Sequence, residues 1–251
     1  MSLDSNREKI AKIYTRLRKR TKDNEKKIGN NFENLGEQVY YKLKEKIIFR
    51  DIKPGERIID REFAEEFGVS RSIVRQSLNI LEKKGLVNSY PRSGYYVKEI
   101  KRKDIEDIFD LRYLLEKFAT RQAVLKLNQN KIDRLEEIFE EAWDDLKEGS
   151  SVKLLEADAF LHWVLIDNCG NEKVKEVIED INAFVLFYRV SDVIYEERAK
   201  PVYKMHYRIF EAIKNKEVEK AERLMARHIK ESKKTILKNY EKYTFGDLEK
   251  A

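Results

Sequence analysis

Cysteine, proline and glycine are scarce in this 251-residue chain, at one, three and nine residues. The single cysteine, Cys169, excludes an internal disulfide framework and any zinc cluster built on thiolates. So few turn formers exclude an all-β sandwich or barrel, which needs many reversals. Long apolar runs are missing as well. The longest, Ala183 to Tyr188, has six residues, against the roughly 20 that a membrane helix needs. The N-terminus carries no apolar stretch of signal-peptide length. These absences predict a cytoplasmic, mostly helical protein with no membrane partner.

Apolar residues make up 41% of the chain, with 12 Phe, 13 Tyr and 2 Trp. That supplies real cores for one large domain or two ordinary ones. Charge is dense, at 39% of residues, and 52 Lys+Arg outweigh 46 Asp+Glu by six. The excess is local. Residues 1–32 hold ten basic and four acidic groups, 33–100 hold 13 and 11, and 101–251 hold 29 and 31. Residues 1–33 therefore read as a basic arm, either a solvated, partly helical tail or a segment that contacts phosphates.

From residue 34 the texture changes. Val39, Leu43 and Ile47 recur at helical spacing, and Lys53-Pro54-Gly55 closes that helix with a turn. Asp60 reads as the N-cap of a short helix to Phe67, stopped by Gly68. Ser70 caps a second helix from Arg71 to about Lys84, ended by Gly85. Two strand-like runs, Leu86–Tyr90 and Tyr95–Lys98, flank Pro91-Arg92-Ser93-Gly94. Three helices and a hairpin in this order predict a winged helix-turn-helix domain over 34–100. In such a domain the N-terminal end of the second helix of the motif faces base edges. Arg71 and Arg75 share one face of that helix, and arginine is shaped to grip guanine O6 and N7 together. Ile73, Val74, Leu78 and Leu81 turn toward the body. Arg61 and the wing residue Arg92 are placed to hold phosphates, and Gly94 offers close approach to a sugar-phosphate edge.

The stretches Arg57-Ile58-Ile59-Asp60-Arg61-Glu62-Phe63-Ala64, Gly68-Val69-Ser70-Arg71-Ser72-Ile73-Val74-Arg75, Gly85-Leu86-Val87 and Gly94-Tyr95-Tyr96-Val97 resemble the DNA-binding domain of GntR-family bacterial transcription regulators. The resemblance implies DNA contacts from Arg61, Arg71 and Arg75, with the wing tip at Gly94. Gln76-Ser77 departs from the family's usual Glu-Ala.

Residues 101–251 read as an antiparallel helical bundle, with helices at about 104–127, 131–148, 151–167, 172–197, 200–214 (Pro201 near its start) and 217–243. Stepping by three and four along these helices gives apolar seams interrupted by polar groups. Arg112 falls in Ile105, Ile108, Arg112, Leu115, Ala119. Asp158 and His162 fall in Leu155, Asp158, His162, Leu165. His206 falls in Val202, His206, Ile209, Ile213, and His228 in Val218, Ala221, Met225, His228. Those are all three histidines of the chain. Buried groups of this kind persist only when paired or metal-bound. Asp158 and His162, one turn apart, can point at one ion, and three imidazoles with a carboxylate suit Zn, Ni, Mn or Fe. Each histidine alone also fits a hydrogen-bonded core residue, and Asp158–His162 a helix ion pair. No further acid is identifiable on a seam beside them.

Residues from about 104 to 240 resemble the FCD ligand-binding domain, the effector module of the FadR subfamily of GntR regulators. The likeness is carried by Asp158-Ala159-Phe160-Leu161-His162, Met205-His206-Tyr207-Arg208-Ile209, Met225-Ala226-Arg227-His228 and Asp110-Leu111-Arg112-Tyr113-Leu114-Leu115-Glu116. It implies that Asp158, His162, His206 and His228 bind a divalent metal. Arg112 then becomes a candidate for holding an effector carboxylate, with an internal Arg112–Glu116 bridge as the alternative. Arg189 is a second effector candidate.

The expected function is a transcription regulator, a repressor, that binds double-stranded palindromic operator DNA as a homodimer and responds to a small organic carboxylate. The rival is a metal-dependent hydrolase fused to a DNA-binding module, disfavoured because no general base is in view. A constitutive architectural or RNA-binding protein leaves the polar seams unexplained.

Overall fold

A computed structural model describes residues 35–194 and 196–241, with side chains described except at 182, 183, 187, 189–194 and 196–198. The basic arm, 1–33, lies outside the described residues. The first part comprises α1 (Leu35–Ile48), β1 (Arg57–Ile58), α2 (Asp60–Phe67), α3 (Arg71–Lys83), β2 (Val87–Tyr90) and β3 (Gly94–Val97). The second is all helix: α4 (Arg102–Lys126), α5 (Gln129–Lys147), α6 (Val152–Asp167), α7 (Glu172–Ile194), α8 (Glu196–Lys214) and α9 (Val218–Lys238). No helix among the described residues is long and apolar enough to cross a membrane.

The helical period decides the first core. Val39, Leu43 and Ile47 on α1 and Val74, Leu78 and Leu81 on α3 are buried, and α1 and α3 pack on each other. Ile73 is only half-buried. The sheet has three strands rather than a hairpin's two, in the order β1-β3-β2 and antiparallel throughout, with Ile58 opposite Tyr95 and Val87 opposite Val97. A two-residue strand such as β1 is too short to show alternation, so pairing with β3 alone defines it.

In the bundle, α4 and α9 lie along one another, and α5 packs on α6. Helix α6 is buried on almost every side, with Leu154, Ala157, Leu161 and Val164 fully enclosed. It is the central helix of this half. The expected helix limits hold within a few residues, with one correction. The helix expected from residue 200 begins four residues earlier, at Glu196, so Pro201, near the start of α8, lies inside it. The first four N–H groups of a helix have no intrahelical acceptor, so a proline just beyond the first turn removes a single bond.

The two halves touch where α7 meets the first domain. Gly85 has φ +72°, and a Cβ there would stand 3.3 Å from Cζ of Phe184. Both the left-handed backbone and the close ring require glycine at this position. Lys98 Nζ sits 5.3 Å from the centroid of the Phe184 ring, and Lys84 pairs with Asp180.

Candidate functional site

Two surfaces gather the candidate residues. The first is the N-terminal end of α3. Arg71 and Arg75 project from one face, their side chains 61% and 62% exposed. Both turn toward Asp60. Arg71 Nη2 donates to Asp60 Oδ1 at 3.0 Å and Oδ2 at 3.3 Å, and Arg75 Nε lies 4.0 Å from Oδ2. This corrects the sequence expectation for Asp60. Ile59 occupies the N-cap of α2 and Asp60 is the first helical residue, so its carboxylate is spent on the two arginines. Ser70 does occupy the N-cap of α3, but its side chain caps no backbone N–H. Its hydroxyl hydrogen-bonds with that of Ser72 at 2.8 Å instead.

Arg61 is exposed on α2, 3.9 Å from Glu65. On the wing, Arg92 is exposed and holds φ +63°, a backbone state uncommon outside glycine, asparagine and aspartate. Gly94 has φ +97°, and a Cβ there would lie 3.7 Å from Nε and Nη2 of Arg57. Arg57 is thus a cation beside the wing, at a position to which the sequence alone assigns no role. Its place is set by the unforeseen strand β1, so no local signal marked it.

The second surface lies inside the bundle. Asp158 and His162 from α6, His206 from α8 and His228 from α9 are all buried, and one ligand atom from each lies within 4.8 Å of all the others. Nε2 of His228 is 3.2 Å from Nε2 of His162 and 3.1 Å from Nε2 of His206. Asp158 Oδ1 is 3.1 Å from His206 Nε2 and 3.9 Å from His162 Nε2. Metal–ligand bonds of about 2.0–2.2 Å imply ligand–ligand edges of about 3–3.5 Å, the range that three of these four separations occupy. Three imidazole nitrogens and one carboxylate oxygen converging at these distances are a donor set that fits a divalent ion.

Beside the cluster opens a pocket of about 370 Å³ including its mouth, lined on the apolar side by Phe109, Val185, Tyr188, Val202 and Ile236. Arg112 reaches its wall, 2% exposed. Its Nε donates to Glu116 Oε1 at 2.7 Å, so the internal bridge exists. Its Nη2 is buried with no hydrogen-bond partner among the described residues. The two readings of Arg112 are therefore compatible, since the bridge occupies one edge of the guanidinium and leaves another for a ligand. Arg189 falls on α7, but its side chain lies outside the described residues.

One expectation was wrong. An acid does stand beside the cluster: Glu116, 3% exposed, hydrogen-bonds Nδ1 of His162. The seam through Ile105, Ile108 and Leu115 placed it off the core. In the structure Ile108 and Leu115 are half-buried, whereas Phe109 and Glu116 are enclosed. The clue was the i, i+4 spacing from Arg112, which carries Glu116 onto the same buried face.

Residues 35–97 match the family described as bacterial regulatory proteins, gntR family, and residues 107–231 match the FCD domain. The HTH-type transcriptional regulator YdhC of Bacillus subtilis (strain 168) is 31% identical over 192 residues, which are 76% of this chain and 86% of that protein. The HTH-type transcriptional repressor RspR of Escherichia coli (strain K12) is 23% identical, over 82% of this chain and 91% of that one. Among solved structures, E. coli McbR/YncC superposes with a TM-score of 0.72 at 21% identity, covering 83% of this chain and all of that one.

Proposed function

Since this chain belongs to the GntR family of bacterial regulatory proteins and carries an FCD domain, we propose that it is a repressor whose grip on operator DNA is set by a small carboxylate bound at a metal. DNA-binding transcription regulation is the family's activity. The hydrolase reading falls on that ground, for the relatives are regulators and not enzymes. The repressor role is supported by RspR, which is named one.

In this reading residues 34–100 read DNA and residues 101–251 bind effector and form the homodimer. Arg71 and Arg75 take guanine edges, with Ser70 at the start of the recognition helix. Arg61 and Arg92 hold phosphates, and Gly94 lets the wing approach the backbone. The left-handed backbone at Arg92 supports its part, because such conformations cluster at functional positions. One recognition helix reads a half-site, so a palindromic operator calls for two copies in the cytoplasm.

The observation that carries the effector half is the convergence of Asp158, His162, His206 and His228 beside a pocket lined by Arg112, whose Nη2 has no hydrogen-bond partner among the described residues. Zn, Ni, Mn and Fe all suit that donor set. When bound, the metal supplies positive charge and an open coordination position to a carboxylate. Arg112 then orients the ligand, helped by Arg189 in this scheme, and the apolar wall excludes water from its body.

The test is a thermal-shift screen of metal-loaded and chelator-stripped protein against small carboxylates, followed by operator titration. A ligand that binds only the folded state raises Tm by mass action. The expected result is a carboxylate that stabilises the loaded form alone and changes operator affinity. Metal stabilisation with no carboxylate effect would leave a structural metal, and no metal effect would return the histidines to the core.

A further inference from the structure

We infer that Glu116 is a positioning residue that joins the metal end of this pocket to its carboxylate end; the inference rests on the reading just given. The argument begins with its two oxygens. Oε1 accepts from Arg112 Nε at 2.7 Å, and Oε2 meets Nδ1 of His162. A carboxylate held by a guanidinium only accepts hydrogen bonds, so Nδ1 of His162 carries the hydrogen and Nε2 presents its lone pair. That lone pair faces Nε2 of His228 at 3.2 Å and Oδ1 of Asp158 at 3.9 Å, the side on which a metal would sit.

Glu116 therefore sets both the tautomer and the ring plane of one ligand. The same side chain fixes Arg112 through its Nε edge, and Arg112 lines the pocket. All three residues are nearly sealed from water, with Arg112, Glu116 and His162 at 2%, 3% and 1% exposure. A shift of Glu116 toward either partner is thus felt by the other. A carboxylate drawn onto Arg112 and a metal drawn onto His162 act on one intermediate group, and their affinities change by the same factor in either order of binding. The Arg-x-x-x-Glu spacing on α4 is what puts both residues on the face that meets α6.

The experiment measures Zn²⁺ affinity of the full chain by competition with a chelating dye, and the visible spectrum of the Co²⁺-loaded protein. Wild type, Glu116→Gln, Arg112→Gln and the double variant are compared. An amide in place of the carboxylate cannot accept from both partners as a charged group. Glu116→Gln is expected to weaken Zn²⁺ binding about 10- to 100-fold and to alter the Co²⁺ bands. Arg112→Gln does the same to a smaller degree, although it touches no ligand. In the double variant the Arg112 change adds nothing further, the non-additivity of groups acting in series. If Glu116→Gln folds poorly, the Arg112→Gln spectrum decides alone, because that variant leaves Glu116 in place. Wild-type binding of Zn²⁺ with both single variants within twofold of it, and unchanged Co²⁺ spectra, would overturn the positioning role and leave the metal site standing. Failure of the wild type itself to bind Zn²⁺ would instead overturn the metal reading, and this inference with it.

Discussion

Single residues on the DNA side carry two separable tasks. Asp60 braces Arg71 and Arg75; in the proposed reading this fixes two long side chains before DNA arrives and lowers their entropy loss on binding. Asp60→Asn is expected to reduce discrimination between operator and unrelated DNA while raising unspecific affinity, since a negative group is lost beside the two arginines proposed to meet DNA. Competition binding against mixed-sequence duplex at fixed salt checks both directions. Arg71→Ala is expected to weaken specific binding by about 1–3 kcal/mol, and an unchanged affinity would remove Arg71 from base reading. Ser77, the departure from the family's usual alanine, does structural work instead. It is buried and donates to Gly36 O at 2.7 Å, pinning α3 to the first turn of α1. Ser77→Ala is expected to destabilise the protein by about 0.5–1.5 kcal/mol in chemical denaturation, leaving DNA specificity intact.

Two helices run from the pocket to the DNA-binding domain. On α7, Val185 and Tyr188 line the pocket while Phe184 rests on Gly85. On α9, His228 and Ile236 line it, and Tyr240, just past the helix, donates to Ile100 O at 2.7 Å in the segment joining the halves. A ligand that displaces either helix therefore shifts the seat of the winged domain. Phe184→Ala is expected to leave Zn²⁺ affinity unchanged while shrinking the effector-induced change in operator affinity. An undiminished response would clear α7 of that role. The α4–α9 pair is tied on its outer side by Arg121 and Lys117 on Glu222. Arg121 foremost, with Lys117, holds the Glu222 carboxyl below the usual carboxylate range. That contribution is present above the ordinary carboxylate pKa and lost as pH falls through the lowered value. Glu222→Gln should melt earlier than wild type at pH 7, the gap closing in acid and in high salt.

At the scale of the molecule, the proposed function requires that ligand in the bundle favour one arrangement of two DNA-binding domains over another. The expected consequence is a dependence on half-site spacing. Lengthening the operator by about half a helical turn between half-sites should abolish tight binding, because the second recognition helix then faces the wrong side of the duplex. Chelation of metal from the loaded protein should lower Tm and abolish the effector response while leaving the winged domain able to bind DNA at low salt. Gel-shift titration and calorimetry on the same samples separate these effects.

Local patterns were enough to read the winged domain and most helix limits, because capping, glycine stops and the 3.6-residue period act within a few residues of one another. They also exposed Asp158, His162, His206 and His228 as polar breaks in apolar seams. Contacts that join distant segments were beyond their reach. Strand β1 is two residues long and exists through β3, the Asp60 carboxylate chooses between capping and two arginines eleven and fifteen residues away, and Glu116 looked peripheral until α4 was turned against α6. The four candidate ligands were legible one by one, but their meeting within 4.8 Å depends on how α6, α8 and α9 pack. Side-chain type and helical period follow from near neighbours along the chain, whereas helix rotation and side-chain pairing are settled by burial summed over the whole core.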